Sequence, residues 1–232
     1  MSSSQPNPGI KEWIDKVLTG AKPTAVEFLR LLPDGFVFGV AFMSLISMCK
    51  SYGVLLFSMF ELMLIQRLFS TFIGSVAPTG AGPNAAAAVC QNGFAFPNSL
   101  RISMIDTIGK PNAFPSSSIF FLTGVVSYII GSIQEFKKEI TTLGGDINMR
   151  TTIATMLSLF FVFAMFIYRV VYGCDSFGNV LLTMILGIVM GIVLVHQNMA
   201  LFGRDGINML NLPMILSSAE LGKPVYVCAP AK

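Results

Sequence analysis

The chain has 232 residues and a formal net charge of +3; 53% of it is apolar and only 12% is charged. A soluble domain carries about a quarter charged residues, so this balance, with a mean hydropathy of +0.71, excludes an ordinary soluble domain and predicts a multi-span membrane protein. The scattered charge offers no basic stripe to nucleic acid, and the single histidine and four dispersed cysteines form no metal-ligand spacing, so no nucleic acid, metal or cofactor is predicted.

Met1–Ile10 is polar and the first apolar run starts late, so no signal peptide is predicted. Ile10, Trp13, Ile14, Val17 and Leu18 recur at helical spacing, with Lys11, Glu12, Asp15 and Lys16 on the other face. This predicts an amphipathic helix lying in the membrane interface with Trp13 as an anchor, or packed on a partner protein. Pro23 and Pro33 punctuate the sequence, and residues 1–33 are read as a segment separate from a membrane bundle over 34–203.

Phe36–Val76 is apolar apart from Lys50, Glu61 and Arg67. Either two helices break near Lys50–Gly53, or one long tilted helix crosses. Lys50 and Glu61 then share a helix face, and an ionisable residue at membrane depth is a functional candidate; a structural ion pair, or an interface-facing Glu61, explains them equally well. Residues 77–115 form a long loop rich in Gly, Pro and Asn. Three clear spans follow: Ser116–Gln134, Thr151–Tyr168 and Ser176–Gly203, with a charged connector over Glu135–Arg150. Gly35-x-x-x-Gly39 and Gly187-x-x-x-Gly191 offer sites of close helix contact. Residues 204–232 are a polar tail in which Pro224–Cys228 reads as extended.

The expected fold is therefore an all-α bundle of four or five spans. With four, Lys11, Lys16, Lys22, Arg30, Lys137, Lys138, Arg150, Arg204, Lys223 and Lys232 face one side, and Arg101, Lys110 and Arg169 the other. That asymmetry places both termini in the cytoplasm; with five crossings the split is roughly even and decides nothing. In either case the loop 77–115 and Arg169–Asp175 share a side. Cys90 and Cys174 then lie on one face and Cys228 on the other; a Cys90–Cys174 disulfide requires that face to be oxidising, and the sequence alone does not call for one.

Arg169-Val170-x-x-Gly173-x-Asp175, followed by Val180-Leu181, resembles the third signature of the type-2 phosphatidic acid phosphatases. Asp175 stands at one family histidine and Asn179 at the aspartate. Lys110-Pro111 resembles the end of the first signature, with Ser103 in place of its upstream lysine. Pro115-Ser116-Ser117-Ser118 resembles the second, with Ser118 at the other histidine. The likeness covers roughly residues 110–194 and implies a phosphatase-like bundle whose three motifs meet on one membrane face. Such enzymes use one histidine as nucleophile and another as general acid. Neither is present, and His196 lies roughly 25 Å from Asn179 if the run between them is helical. The resemblance thus implies a frame without hydrolase activity. It leaves Lys110, Ser116, Ser118 and Arg169 as candidate anion-binding residues for a lipid headgroup; as helix caps, the same serines and arginine have a purely structural role.

The tail LFGRDGINMLNLPMI…GKPVYVC is similar to membrane proteins of large icosahedral nucleocytoplasmic DNA viruses. That resemblance implies a structural component of a virion inner membrane. It would be anchored in the bilayer and touch capsid or other membrane proteins through residues 1–33 and 204–232. An active lipid phosphatase and a small transporter using Lys50 and Glu61 are the alternatives.

Overall fold

The structure is a computed structural model that describes residues 8–73, 81–95, 101–142 and 145–210, the side chains of 8–22, 95, 142 and 145–147 excepted. Helices α1 (Pro8–Ser47) and α2 (Lys50–Ile73) form a hairpin. A 3-10 turn (Ala88–Cys90), a short antiparallel pair β1 (Phe94–Ala95) and β2 (Arg101–Ile102), and helix α3 (Met104–Ile108) follow. The chain continues through α4 (Ser117–Glu135), short α5 (Lys137–Thr142), α6 (Gly145–Val171) and α7 (Phe177–Ile207). The all-α, multi-span expectation holds. Five helices among the described residues are long and apolar enough to cross a membrane: Pro23–Ser47, Lys50–Ile73, Ser117–Glu135, Asn148–Val171 and Phe177–Ile207.

The apolar pattern explains the arrangement. Buried Met59, Leu62, Phe120, Phe121, Tyr128 and Leu194 knit α2, α4 and α7 into one core. Ile119, Leu122, Val126, Met165, Tyr168 and Val180 tie α4 to α6 and α7 in a second. Helix α4 is central. By contrast Phe160, Phe163, Ile185 and Val189 on α6 and α7 are exposed, and a continuous apolar exterior of this kind is stable only against lipid. The α4–α7 seam rests on glycine. A Cβ at Gly187 would stand 2.0 Å from Thr123 Oγ1, and one at Gly191 would stand 2.4 Å from the Gly124 carbonyl, so the backbones touch where no larger residue fits. The other small-residue pair behaves differently: nothing lies within 4 Å of a Cβ at Gly35 or Gly39.

The helix limits refine the expectations. Helix α1 runs through both Pro23 and Pro33, so neither proline ends it. Proline removes one helical N–H, a loss that packed neighbours in a membrane helix accommodate; Leu32, Pro33 and Asp34 are all buried. Of the two readings of the next stretch, the structure has two helices, with the break at Met48 and Cys49, beside Lys50, and Met48 at φ 49°. Finally, with five candidate spans α1 enters at the loop end of the bundle and α7 leaves at the other. The four-crossing arrangement, with both ends of the chain on one side, does not apply. The side chains of the Ile10–Leu18 amphipathic pattern, and the tail from residue 211 with its Pro224–Cys228 stretch, lie outside the described residues.

Candidate functional site

The loop end of the bundle carries the three motifs. Helix α6 finishes at Val171, and Gly173 takes φ 66°, a left-handed conformation that glycine adopts at no steric cost. The chain doubles back so that the N–H groups of Cys174 and Asp175 both donate to the Arg169 carbonyl, at 2.9 and 3.3 Å. Ser176 caps α7 by accepting from the Asn179 N–H. The segment from Ala81 lies against this turn: the Gly82 N–H donates to the Cys174 carbonyl and the Asn84 N–H to the Gly173 carbonyl. A Cβ at Gly82 would sit 2.2 Å from the Gly173 carbonyl oxygen, so the two backbones approach as closely as glycine allows. A disulfide joins Cys90 to Cys174. The two cysteines therefore share a face, as the span count requires, and the bond itself is a finding the sequence did not supply; Cys228 lies outside the described residues.

At the centre is Arg169, 3% exposed, in the last turn of α6. Its Nε donates to Asp175 Oδ2 at 2.7 Å, and its Nη1 donates to the Cys90 carbonyl at 2.7 Å. Ser116 Oγ donates to the same Asp175 oxygen at 2.8 Å. Asn179 Nδ2 donates to Asp175 Oδ1 at 3.3 Å. Thr183 Oγ1 donates to Asn179 Oδ1 and accepts from the Ser116 N–H. Although Ser116 holds the N-cap position of α4, its side chain does not cap the helix; it turns to the carboxylate instead.

A second cluster adjoins the first. Ser118 Oγ donates to Asn92 Oδ1 at 2.7 Å, and Asn92 donates to both oxygens of Asp106 through its side chain and its backbone. Ser117 Oγ also donates to Asp106. Asp106 lies in α3, whose start is held by Asp34 of α1. Asp34 is fully buried and accepts from Ser103 Oγ at 2.8 Å, the Met104 N–H at 2.7 Å and the Ile105 N–H at 3.2 Å. From α2, Gln66 donates to the carbonyls of Lys110 and Pro115 and accepts from the Lys110 N–H.

Of the four candidate anion-binding residues, Ser116 and Arg169 meet directly on Asp175. Ser118 belongs to the neighbouring Asn92–Asp106 cluster. Lys110 is held by its backbone, and its side chain is exposed. Sequence reasoning missed Asp34, Gln66, Asn92 and Asp106. A lone aspartate beside Pro33 in an apolar run was a usable signal for the first; the loop partners carried none. Chemically the arrangement is closed upon itself: the guanidinium faces a carboxylate, and the serine hydroxyls donate to Asp175, Asp106 and Asn92. His196 is exposed on α7, far from the motifs.

The intramembrane pair separates. Lys50 and Glu61 both lie on α2 and both reach α7, but Lys50 Nζ donates to the Phe202 carbonyl at 3.0 Å and Glu61 Oε1 accepts from Gln197 Nε2 at 2.8 Å. The Phe202 carbonyl precedes Gly203, whose non-helical φ of 74° kinks α7. Glu61 Oε2 and Asn198 Oδ1 are buried without a donor among the described residues, while Asn198 Nδ2 donates to Ser58 Oγ and Tyr128 Oη.

No family model matches the sequence, no curated protein matches it, and no solved structure matches the fold.

Proposed function

We propose that this integral membrane protein serves an assembly rather than a reaction, and that its phosphatase-like motifs act as an architectural lock. The observation that carries this reading is Asp175. It stands where the phosphatase signature has a histidine, and its carboxylate accepts from Arg169 and Ser116. The charge that an enzyme of that kind holds ready for phosphate is here matched by the chain's own anion. A buried arginine so paired contributes no net attraction for a second anion. Ser118, at the other histidine position, donates to Asn92 and has no base beside it. What the network does instead is fasten three spans and the loops between them at one end of the bundle.

The similarity of the C-terminal run to membrane proteins of large DNA viruses supports placing the assembly in a virion membrane. Residues 1–33 and 204–232 are then what meets capsid or neighbouring membrane proteins. Turnover of phosphatidic acid by the purified chain tests the inert reading. Phosphate release is expected to be no greater than that of Arg169→Ala; robust release that Arg169→Ala abolishes overturns the proposal.

A second reading, a small transporter, draws on the two unpartnered acceptors of Glu61 and Asn198 between α2 and α7. Proton or cation flux into vesicles that is lost in Glu61→Gln would favour it over the structural role.

A further inference from the structure

Glu61 lies near the middle of α2, roughly 17 Å from either end of that helix at 1.5 Å per residue. Its two carboxyl oxygens are in different situations. Oε1 accepts from Gln197 Nε2 of α7 at 2.8 Å. Oε2 is buried and has no hydrogen-bond partner among the described residues. The neighbouring α7 residue brings it no donor, because Asn198 Nδ2 is committed to Ser58 Oγ and Tyr128 Oη.

No cation stands against the carboxyl among the described residues. On α2 itself, Lys50 Nζ donates to the Phe202 carbonyl and Arg67 Nη1 to the Ile108 carbonyl, and Tyr52 is half-buried. On α7, Arg204 pairs with Glu139, and His196 and Asp205 are exposed. Helix α4 brings Tyr128, whose hydroxyl accepts from Asn198. On α1, Arg30 pairs with Glu27, and Asp34 is committed to the start of α3. Asp106 of α3 is held by Asn92 and Ser117.

We infer that Glu61 is a proton-binding site: the span carries it as a neutral carboxylic acid, with the proton on Oε2, at a pH where an exposed glutamate is ionised. A carboxylate removed from water with one hydrogen bond and no counter-ion is costly, and such a group neutralises rather than staying charged. A water at Oε2 would supply a hydrogen bond but leave the charge in place. A divalent metal ion is less apt, since no group of three or more His, Cys, Asp or Glu among the described residues could hold one. The inference concerns the occupant of Glu61 and does not rest on the transporter reading. A proton found on Glu61 without proton flux removes that reading alone.

Infrared spectroscopy of the full chain in phosphatidylcholine vesicles at about pH 7 tests this, since an exposed glutamate, with a pKa of about 4.3, is ionised there. Wild type is expected to show the C=O absorption of a protonated carboxyl. That band should shift when the glutamate side-chain carboxyls carry carbon-13, and it should be lost in Glu61→Gln. Glutamine keeps an acceptor for Gln197 and an N–H donor in place of the O–H, so this variant should unfold at the same denaturant concentration as wild type. The isotope shift is read in wild type alone and stands even if the variant does not fold, because Glu27 and Glu139 are held as carboxylates by Arg30 and Arg204. Only carboxylate absorption from the labelled glutamates, or an undiminished protonated band in folded Glu61→Gln, would overturn the site. So would a band that sodium chloride removes and choline chloride at equal ionic strength does not, since the occupant would then be a metal cation.

Discussion

Arg169 Nε lies 2.7 Å from Asp175 Oδ2, six residues further along the chain and across a single glycine turn, with both side chains almost wholly buried. An ion pair in this position is costly to desolvate and more costly to break, because removing one partner leaves the other charged and unsolvated. The pair also anchors its surroundings, since the same guanidinium holds the Cys90 carbonyl and the same carboxylate holds Ser116.

The disulfide and the ion pair should reinforce each other. Cys90 supplies a carbonyl to Arg169, and Cys174 donates its N–H to the Arg169 carbonyl, so the bond pins the two loops that surround the guanidinium. The variant Cys90→Ser/Cys174→Ser is expected to lose about 2–4 kcal/mol, in keeping with the long loop the bond closes. Denaturant unfolding of the detergent-solubilised variant against wild type measures this, and faster proteolysis within residues 81–95 should accompany it.

Asp34→Asn should be disproportionately harmful for so conservative a change. The carboxylate accepts three hydrogen bonds, two of them from the first N–H groups of α3, and those to a charged acceptor contribute about 1.5–3 kcal/mol each. An amide keeps one acceptor oxygen and sets its NH₂ against donors. A loss of about 2–4 kcal/mol is expected, with hydrogen exchange rising first in Met104–Ile108. Equal protection of α3 in variant and wild type would refute this role for Asp34.

Much of the fold was legible because lipid imposes a simple rule: long apolar runs become helices. The three spans after residue 115 emerge within a few residues of their expected limits; of the two Gly-x-x-x-Gly pairs, the one at Gly187 and Gly191 makes the close contact and the one at Gly35 and Gly39 does not. The first helix was less legible. Pro23 and Pro33 read as breaks in water, whereas α1 runs through both, the second of them buried in the bundle. At the site, the resemblance placed Arg169, Asp175 and Ser116 in order, but it described Asp175 as a missing histidine. Only the fold shows it as the counter-ion of Arg169. Asn92 and Asp106 come from a loop whose partners are set by tertiary contacts, so no local pattern announced them. Lys50 and Glu61 share a helix face as expected, yet each takes a partner on α7 rather than the other.

At the far end of the bundle, a hydrogen bond to backbone and the neighbouring Arg204 hold the Glu139 carboxyl below its ordinary value of 4.5. With the folded-state value depressed, its contribution is present above the unfolded value and is lost as pH falls through the folded one. Acidification below about 4.5 should therefore release Arg204 from Glu139, and Arg204→Gln should move the transition to higher pH. A pH series on Glu139 carboxylate absorption, followed by isotope-edited infrared spectroscopy, checks the direction.

The most direct measurement is chemical rescue at Asp175. Asp175→Ala strands Arg169 and should cost about 3–5 kcal/mol, while opening a space of carboxylate size beside the guanidinium. Unfolding curves are compared with sodium formate and with sodium chloride at equal ionic strength. If Asp175 is the anion of this site, formate restores a large part of the lost stability in Asp175→Ala and leaves wild type unchanged. If wild type is itself stabilised by formate or phosphate beyond the chloride control, or if Asp175→Ala is as stable as wild type, then the Arg169 site is not closed by the chain's own carboxylate and the structural reading fails.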